Sequence, residues 1–170
     1  MPDIHLSTIA VVHNTRVKPT DDNWGGLVSE IRLDPALPEE SLAGLETFSH
    51  AEIIFQFHLV EEKEIVTGRR HPRENPDWPE AGIFAQRGRL RPNRLGLTVV
   101  RIVRREGRSL FVEGLDAVNG TPVLDIKPVL QEFLPRSPIR QPDWSHEIMK
   151  AYWNPSKEKP DGKESPDDNP

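Results

Sequence analysis

The 170-residue chain has no cysteine, which removes disulfides, a thiolate nucleophile and cysteine-ligated zinc at once. No apolar run approaches the ~20 residues of a membrane-spanning helix. The first residues lack a basic-then-apolar secretion signal, so the cytoplasm is the expected compartment. No GxSxG nucleophile elbow and no GxxxxGK[ST] phosphate loop occurs, and Gly82, Gly88 and Gly96 do not follow a dinucleotide-binding pattern. The six histidines show no HxH, HxxxH or HExxH spacing, so no metal site is expected. Long crossover helices are also missing, which argues against a doubly wound α/β fold.

Proline, by contrast, is abundant. Its 17 occurrences are about twice the usual ~5% and favour a loop-rich β body over a helix bundle. The length fits one domain, assigned to residues 1–153. The stretch that follows, "NPSKEKPDGKESPDDNP" (154–170), combines four prolines with eight charges and no large apolar side chain, and is expected to be a flexible tail.

Strand signals recur along the domain. "IHLSTIAVV" (4–12) reads as a first strand, and "LVSEIRL" (27–33) as a second with Leu27, Ser29, Ile31 and Leu33 on one face. "AEIIFQFHLV" (51–60) places Ala51, Ile53, Phe55, Phe57 and Leu59 together. "LGLTVVRIV" (95–103) is nearly all apolar, so both its faces are expected to be covered. "SLFVEGLDAV" and "TPVLDI" flank Asn119-Gly120, the preferred dipeptide of a type I′ turn, and read as a hairpin. Short helical patterns occur in 34–48 and in "WSHEIMKAYW" (144–153), where Trp144, Ile148, Met149 and Trp153 are expected to pack on the body. The fold class is mainly β: a small antiparallel β-barrel with short peripheral helices.

Charge is divided unevenly. Residues 1–68 carry 4 basic against 12 acidic side chains, a balance of −8; residues 69–108 carry 11 against 4, a balance of +7. Pairing within the chain or between subunits, and local binding of an anion, account equally for this dipole. Within the basic half, Arg87, Arg89, Arg91 and Arg94 crowd one loop, "RGRLRPNR". Unpaired burial is too costly for them, so they are expected to face solvent, acidic partners or an anionic ligand.

Two further stretches carry chemistry. His58 closes the 51–60 strand on the face opposite its aromatics, a place usual for a hydrogen-bonded structural histidine. In "NGTPVLDIKP" (119–128), Asp125 and Lys127 share a strand face. They either pair across the sheet or hold the amine and carboxylate of an amino-acid-like ligand.

Taken in order, "GLETFSHAEIIFQFH", "RHPRE", "GIFAQRGRLRPNRLGLTVVRI" and "LDAVNGTPVLDIKP" resemble the TsaA-like (TrmO N-terminal) methyltransferase family over roughly residues 4–150. Its members typically read GLEEFSHIWVIFxFH, GVFATRSPxRPNPIGLSVVRL and LDGTPVLDIKPY. The resemblance implies a β-barrel that binds S-adenosylmethionine, usually as a homodimer with the cofactor near the subunit interface. It further implies N6-methylation of threonylcarbamoyl-adenosine beside the tRNA anticodon. The cofactor-binding residues it implies here are Phe57, His58, Arg87, Leu97, Leu124, Asp125, Ile126 and Lys127. The family's PRQP segment is replaced by "DDNWGG" (21–26). Either Asn23 and Trp24 take over its role, with the indole on adenine, or this part of the site differs. Arg94 stands where the family has a proline, and Arg89, Arg91 and Arg94 are the candidate tRNA contacts. Two readings compete with tRNA methylation: methyl transfer to a small molecule or other acceptor, and a non-catalytic module binding the cofactor or RNA.

Overall fold

The computed structural model describes residues 3–155. Eight strands occur among them: β1 (Ala10–His13), β2 (Val28–Leu33), β3 (His50–Gln56), β4 (Arg69–Arg70), β5 (Ala81–Gly82), β6 (Leu95–Glu106), β7 (Ser109–Glu113) and β8 (Pro122–Pro128). Six of these close an antiparallel barrel in the order β1-β2-β7-β6-β3-β8, and β4 with β5 forms a two-stranded ribbon outside it. Closure removes the free edges that an open sheet would expose. The alternation read from the sequence fills the interior: Ser29, Ile31 and Leu33 from β2, and Ala51, Ile53 and Phe55 from β3, all point inward and are buried. Gly96 faces Phe55 across the β3–β6 pair, and a Cβ on it would lie 2.3 Å from the Phe55 ring. Glycine there is what lets the ring lie flat on the neighbouring strand.

Four expectations need correction. The first strand begins only at Ala10, opposite Leu33 where β2 ends; Ile9 still donates to the Val123 carbonyl at 2.9 Å and accepts the Asp34 N–H at 2.8 Å, but farther upstream Ile4 and Leu6 are exposed and bury no face. β6 is covered on its inner face alone, with Leu97, Val99 and Val103 exposed on the outside. β7 and β8 form no hairpin, since β7 is flanked by β2 and β6, and β8 by β1 and β3. Of Asn119-Gly120 only Gly120 is left-handed (φ 83°), so the type I′ geometry is not met, and Asn119 N–H donates to the Arg16 carbonyl at 2.6 Å instead. The hairpin that does form joins β6 to β7 through Gly107 (φ 55°).

The fourth correction concerns the C-terminal part. Helix α1 (Asp143–Ile148) ends before the helical pattern does. Trp144 and Ile148 are half-buried, whereas Met149 and Trp153 are exposed and Tyr152 packs against Trp24, Leu27 and Val118 in their place. The flexible-tail expectation falls, beyond Pro155, outside the described residues.

Candidate functional site

β3 carries the centre of the site because β6 and β8 flank it. On its outer face Ile54 stands between Leu97 of β6 and Asp125 of β8, and Glu52 between Val99 and Lys127. The β3–β8 register shifts between Ile54 and Phe55, leaving Leu124 as the extra residue of a bulge. This bulge re-aims the strand: Val123 and Ile126 pack on the core while Asp125 and Lys127 both turn outward. Asp125 and Lys127 are joined by a 2.5 Å ion pair, and the other carboxylate oxygen accepts the Ile126 N–H at 3.0 Å. The hydrogen bond to Asp125 raises the Lys127 ammonium above its ordinary pKa, so it stays charged.

At the end of β3 the chain leaves the sheet after Gln56, so Phe57 and His58 lie in the following turn. Phe57 packs edge-on against Phe55, ring centroids 5.3 Å apart, and its N–H donates to the Arg94 carbonyl at 2.7 Å. His58 Nε2 would lie 4.0 Å from a Cβ added at Gly120, which places the imidazole beside the 119–120 turn.

The arginines divide into braces and one free-standing side chain. Arg87 donates to the Leu97 carbonyl, Arg91 to the Gln86 carbonyl at 3.1 Å, and Arg94 to the Val60 carbonyl at 2.9 Å. A loop with little sheet pairing leaves carbonyls in need of donors, and guanidinium groups satisfy them. Arg91 and Arg94 are half-buried by this work, so the expectation that all four face solvent or a ligand holds only for the exposed Arg87 and Arg89. Arg94 has φ 51°, a backbone conformation that a proline cannot adopt.

The 21–26 loop is built around Arg16. Its buried guanidinium bonds the Thr20 hydroxyl at 2.9 Å and the Asn23 carbonyl at 2.7 Å, and lies 4.2 Å from the Trp24 ring centroid. Trp24 is only 3% exposed, and its indole N–H donates to the Thr20 carbonyl at 3.2 Å. An indole so enclosed has no open face for adenine; it anchors the loop, whereas Asn23 stays half-exposed with φ 66°. Arg73 clamps the same loop through Asp22, at 2.8 and 3.0 Å.

Three residues that the motifs did not single out connect this loop to β6. The Asp116 carboxylate accepts hydrogen bonds from the Thr98 hydroxyl and from the Tyr152 hydroxyl. Burial, then the Asp116 charge, pushes the Tyr152 phenol far above its ordinary pKa, so it remains a donor. One signal is available: Tyr152 is the sole tyrosine and stands next to Trp153 at the end of the 144–153 helical pattern.

Concavities indent the surface near these elements. One of about 600 Å³ is lined by Arg69, Arg70, His71 and Glu80 among others, and one of about 400 Å³ includes Phe48, Asp125 and Ile126. Of the expected cofactor residues only Asp125 and Ile126 line either; Phe57, Arg87 and Leu97 lie outside both. Among the described residues, no three His, Asp or Glu side chains gather to hold a metal ion, and no helix is long and apolar enough to cross a membrane.

Comparison with known proteins fits this geometry. Residues 10–133 match the family model described as the tRNA-methyltransferase O N-terminal domain. The human tRNA (adenine(37)-N6)-methyltransferase is 42% identical over 96 residues, which are 56% of this chain and 21% of the human protein. A probable S-adenosyl-L-methionine-binding protein of Methanothermobacter thermautotrophicus is 34% identical over 114 residues, covering 67% of this chain and 78% of that protein. The crystal structure of TrmO from Pseudomonas aeruginosa superposes with a TM-score of 0.65 at 27% identity, covering 82% of this chain and 62% of the other. The chain thus spans about a fifth of the human relative and under two thirds of the solved structure. With both the matched sequence and the closed barrel in hand, the chain belongs to the tRNA-methyltransferase O N-terminal domain family.

Proposed function

We propose that the chain binds S-adenosylmethionine and transfers its methyl group to N6 of adenine 37 of tRNA, with threonylcarbamoyl-adenosine as the acceptor nucleoside and the cytoplasm as the compartment. The observation that carries this reading is the outer row Leu97–Ile54–Asp125, which ties the three family motifs to one barrel face. The donor set suits the cofactor. Asp125 and Lys127 offer a carboxylate and an ammonium, both accessible, for the amine and carboxylate of a methionine moiety. Phe57 and Leu97 offer apolar surface for adenine, and Arg87 and Asn23 complete the rim.

When bound, S-adenosylmethionine would supply a methyl group on a sulfonium: the adenine N6 would form the new N–CH3 bond as the S–CH3 bond breaks, S-adenosylhomocysteine would leave in line, and the N6 proton would pass to water. The protein's share is alignment and exclusion of water. Arg87 holds the β6 start through Leu97, the bulge at Leu124 turns Asp125 outward, and the braced loop holds the Phe57 N–H through the Arg94 carbonyl. Arg89, exposed and, unlike Arg87, Arg91 and Arg94, not bracing a loop or strand carbonyl, is the strongest candidate for a phosphate contact, with Arg91 and Arg94 setting the shape that presents it.

Two copies of the chain meeting over the outer face of β6 would cover Leu97, Val99 and Val103, and would close a site that is shallow in one copy. We therefore read the working form as a homodimer. Calorimetry with chelator present tests the cofactor assignment: binding at micromolar to sub-millimolar cofactor supports it, and none at millimolar cofactor refutes it. A mass-spectrometric comparison of tRNA nucleosides from cells with and without the protein tests the acceptor.

A further inference from the structure

The segment after α1 lies beyond the residues that match the family model, yet it is fastened to the loop that stands in place of PRQP. Ala151–Pro155 runs beside Asn23–Gly25 and accepts three main-chain hydrogen bonds: Asn23 N–H to Ala151 at 3.1 Å, Trp24 N–H to Tyr152 at 2.8 Å, and Gly25 N–H to Asn154 at 3.0 Å. The approach is so close that a Cβ on Gly25 would sit 2.0 Å from the Trp153 carbonyl oxygen. The Tyr152 ring fills the space between Trp24, Leu27 and Val118, and its hydroxyl reaches Asp116. Asp116 in turn holds Thr98, the residue after Leu97, whose carbonyl receives Arg87. Arg87 also lies near enough to Tyr152 to act on it electrostatically.

We propose that Ala151–Pro155 is a strap that sets the methyl-donor site, with Tyr152 as a positioning residue acting through Asp116 and Thr98 on the Arg87–Leu97 contact. The strap fixes Asn23 from one side and the start of β6 from the other, so two separate parts of the site move as one. This inference rests on the reading that Asn23, Arg87 and Leu97 belong to the donor site. It also explains how a loop without the rigid prolines of PRQP is held: by main-chain bonds to a neighbouring segment in place of ring-fixed dihedrals.

The test compares Tyr152→Phe and Gly25→Ala in the full chain. Phenylalanine keeps the packing and removes the hydroxyl, whereas alanine at 25 pushes the strap away from the opposite side. S-adenosylmethionine affinity is measured by calorimetry well below each variant's melting temperature, with hydrogen exchange at the Asn23–Gly25 amides. Tyr152→Phe is expected to weaken binding roughly three- to tenfold, the net worth of one hydrogen bond. Gly25→Ala is expected to weaken it at least as much and to speed amide exchange in the loop. Affinity unchanged in both variants, with or without faster exchange, overturns the inference and leaves the donor-site reading standing. A parent chain that binds no S-adenosylmethionine overturns both.

Discussion

Arg87 donates to the main-chain carbonyl of Leu97, so the arginine loop is closed onto the first residues of the strand it feeds. The contact places an exposed cation beside an exposed apolar residue on the barrel face where β3, β6 and β8 meet. Arg87→Ala is expected to weaken S-adenosylmethionine binding while leaving the salt dependence of tRNA binding nearly unchanged, since one cofactor contact is lost and no phosphate contact. Calorimetry of cofactor binding and a salt titration of tRNA affinity separate the two.

The ion pair on β8 makes a second prediction. Asp125→Ala and Lys127→Ala should each reduce cofactor affinity by about 1–3 kcal/mol if a charge-assisted hydrogen bond to the cofactor is lost. Barrel stability should change little, because the pair is solvent-exposed and such pairs contribute about 0–1 kcal/mol. Parent-like cofactor affinity in both variants would return the pair to a purely structural role along β8.

The loop arginines are predicted to fail in different ways. Arg89→Ala should leave stability within roughly ±0.5 kcal/mol of the parent. If Arg89 touches a duplex phosphate, its loss should flatten the salt dependence of tRNA affinity by ~0.9 log units per log unit of salt. Arg94→Pro should lower stability by more than about 1 kcal/mol, because φ 51° is closed to proline and the Arg94 N–H bond to the Arg91 carbonyl disappears. Thermal melts of the two variants test the contrast.

How much of this was legible in the sequence follows from what each signal encodes. Alternation in β2 and β3 reports burial on one face directly, so Ser29, Ile31, Ala51, Ile53 and Phe55 were placed from the pattern alone. Apolar content without alternation does not report whether a second layer covers the other side, which is why the outer face of β6 lies open against expectation. Asn119-Gly120 encodes a turn but not which strands it joins; the neighbours of β7 and β8 are fixed by barrel closure, a long-range property. Arg91 and Arg94 looked like free charge because the carbonyls they satisfy, Gln86 and Val60, carry no side-chain signature. Trp24 looked available for stacking because nothing in "DDNWGG" reveals Arg16 lying over it.

Acid stability gives a further check. Glu30 on β2 is held below its ordinary pKa of 4.5, first by its hydrogen bond to Arg32 and also by Ser109, against the opposing effect of burial. A carboxylate depressed in the folded state stabilises the barrel above its unfolded pKa, and this contribution is lost as pH falls through the folded value. Glu30→Gln should therefore flatten the decline of stability below about pH 4.5, by at most about 1 kcal/mol for so well-screened a pair. Denaturant melts between pH 3 and 6, roughly spanning that range, would reveal it; identical slopes in parent and variant would contradict it.

The central claim is methyl transfer to N6 of adenine 37, and its most direct measurement is nucleoside mass spectrometry. Purified protein is incubated with S-adenosylmethionine and unmethylated tRNA carrying threonylcarbamoyl-adenosine, and the digested nucleosides are compared with a control lacking protein. The account predicts a threonylcarbamoyl-adenosine one methyl group heavier, formed only when both protein and cofactor are present and reduced by Arg87→Ala. Parent protein that binds the cofactor yet leaves this nucleoside unmethylated would contradict it and would direct the search to a different acceptor.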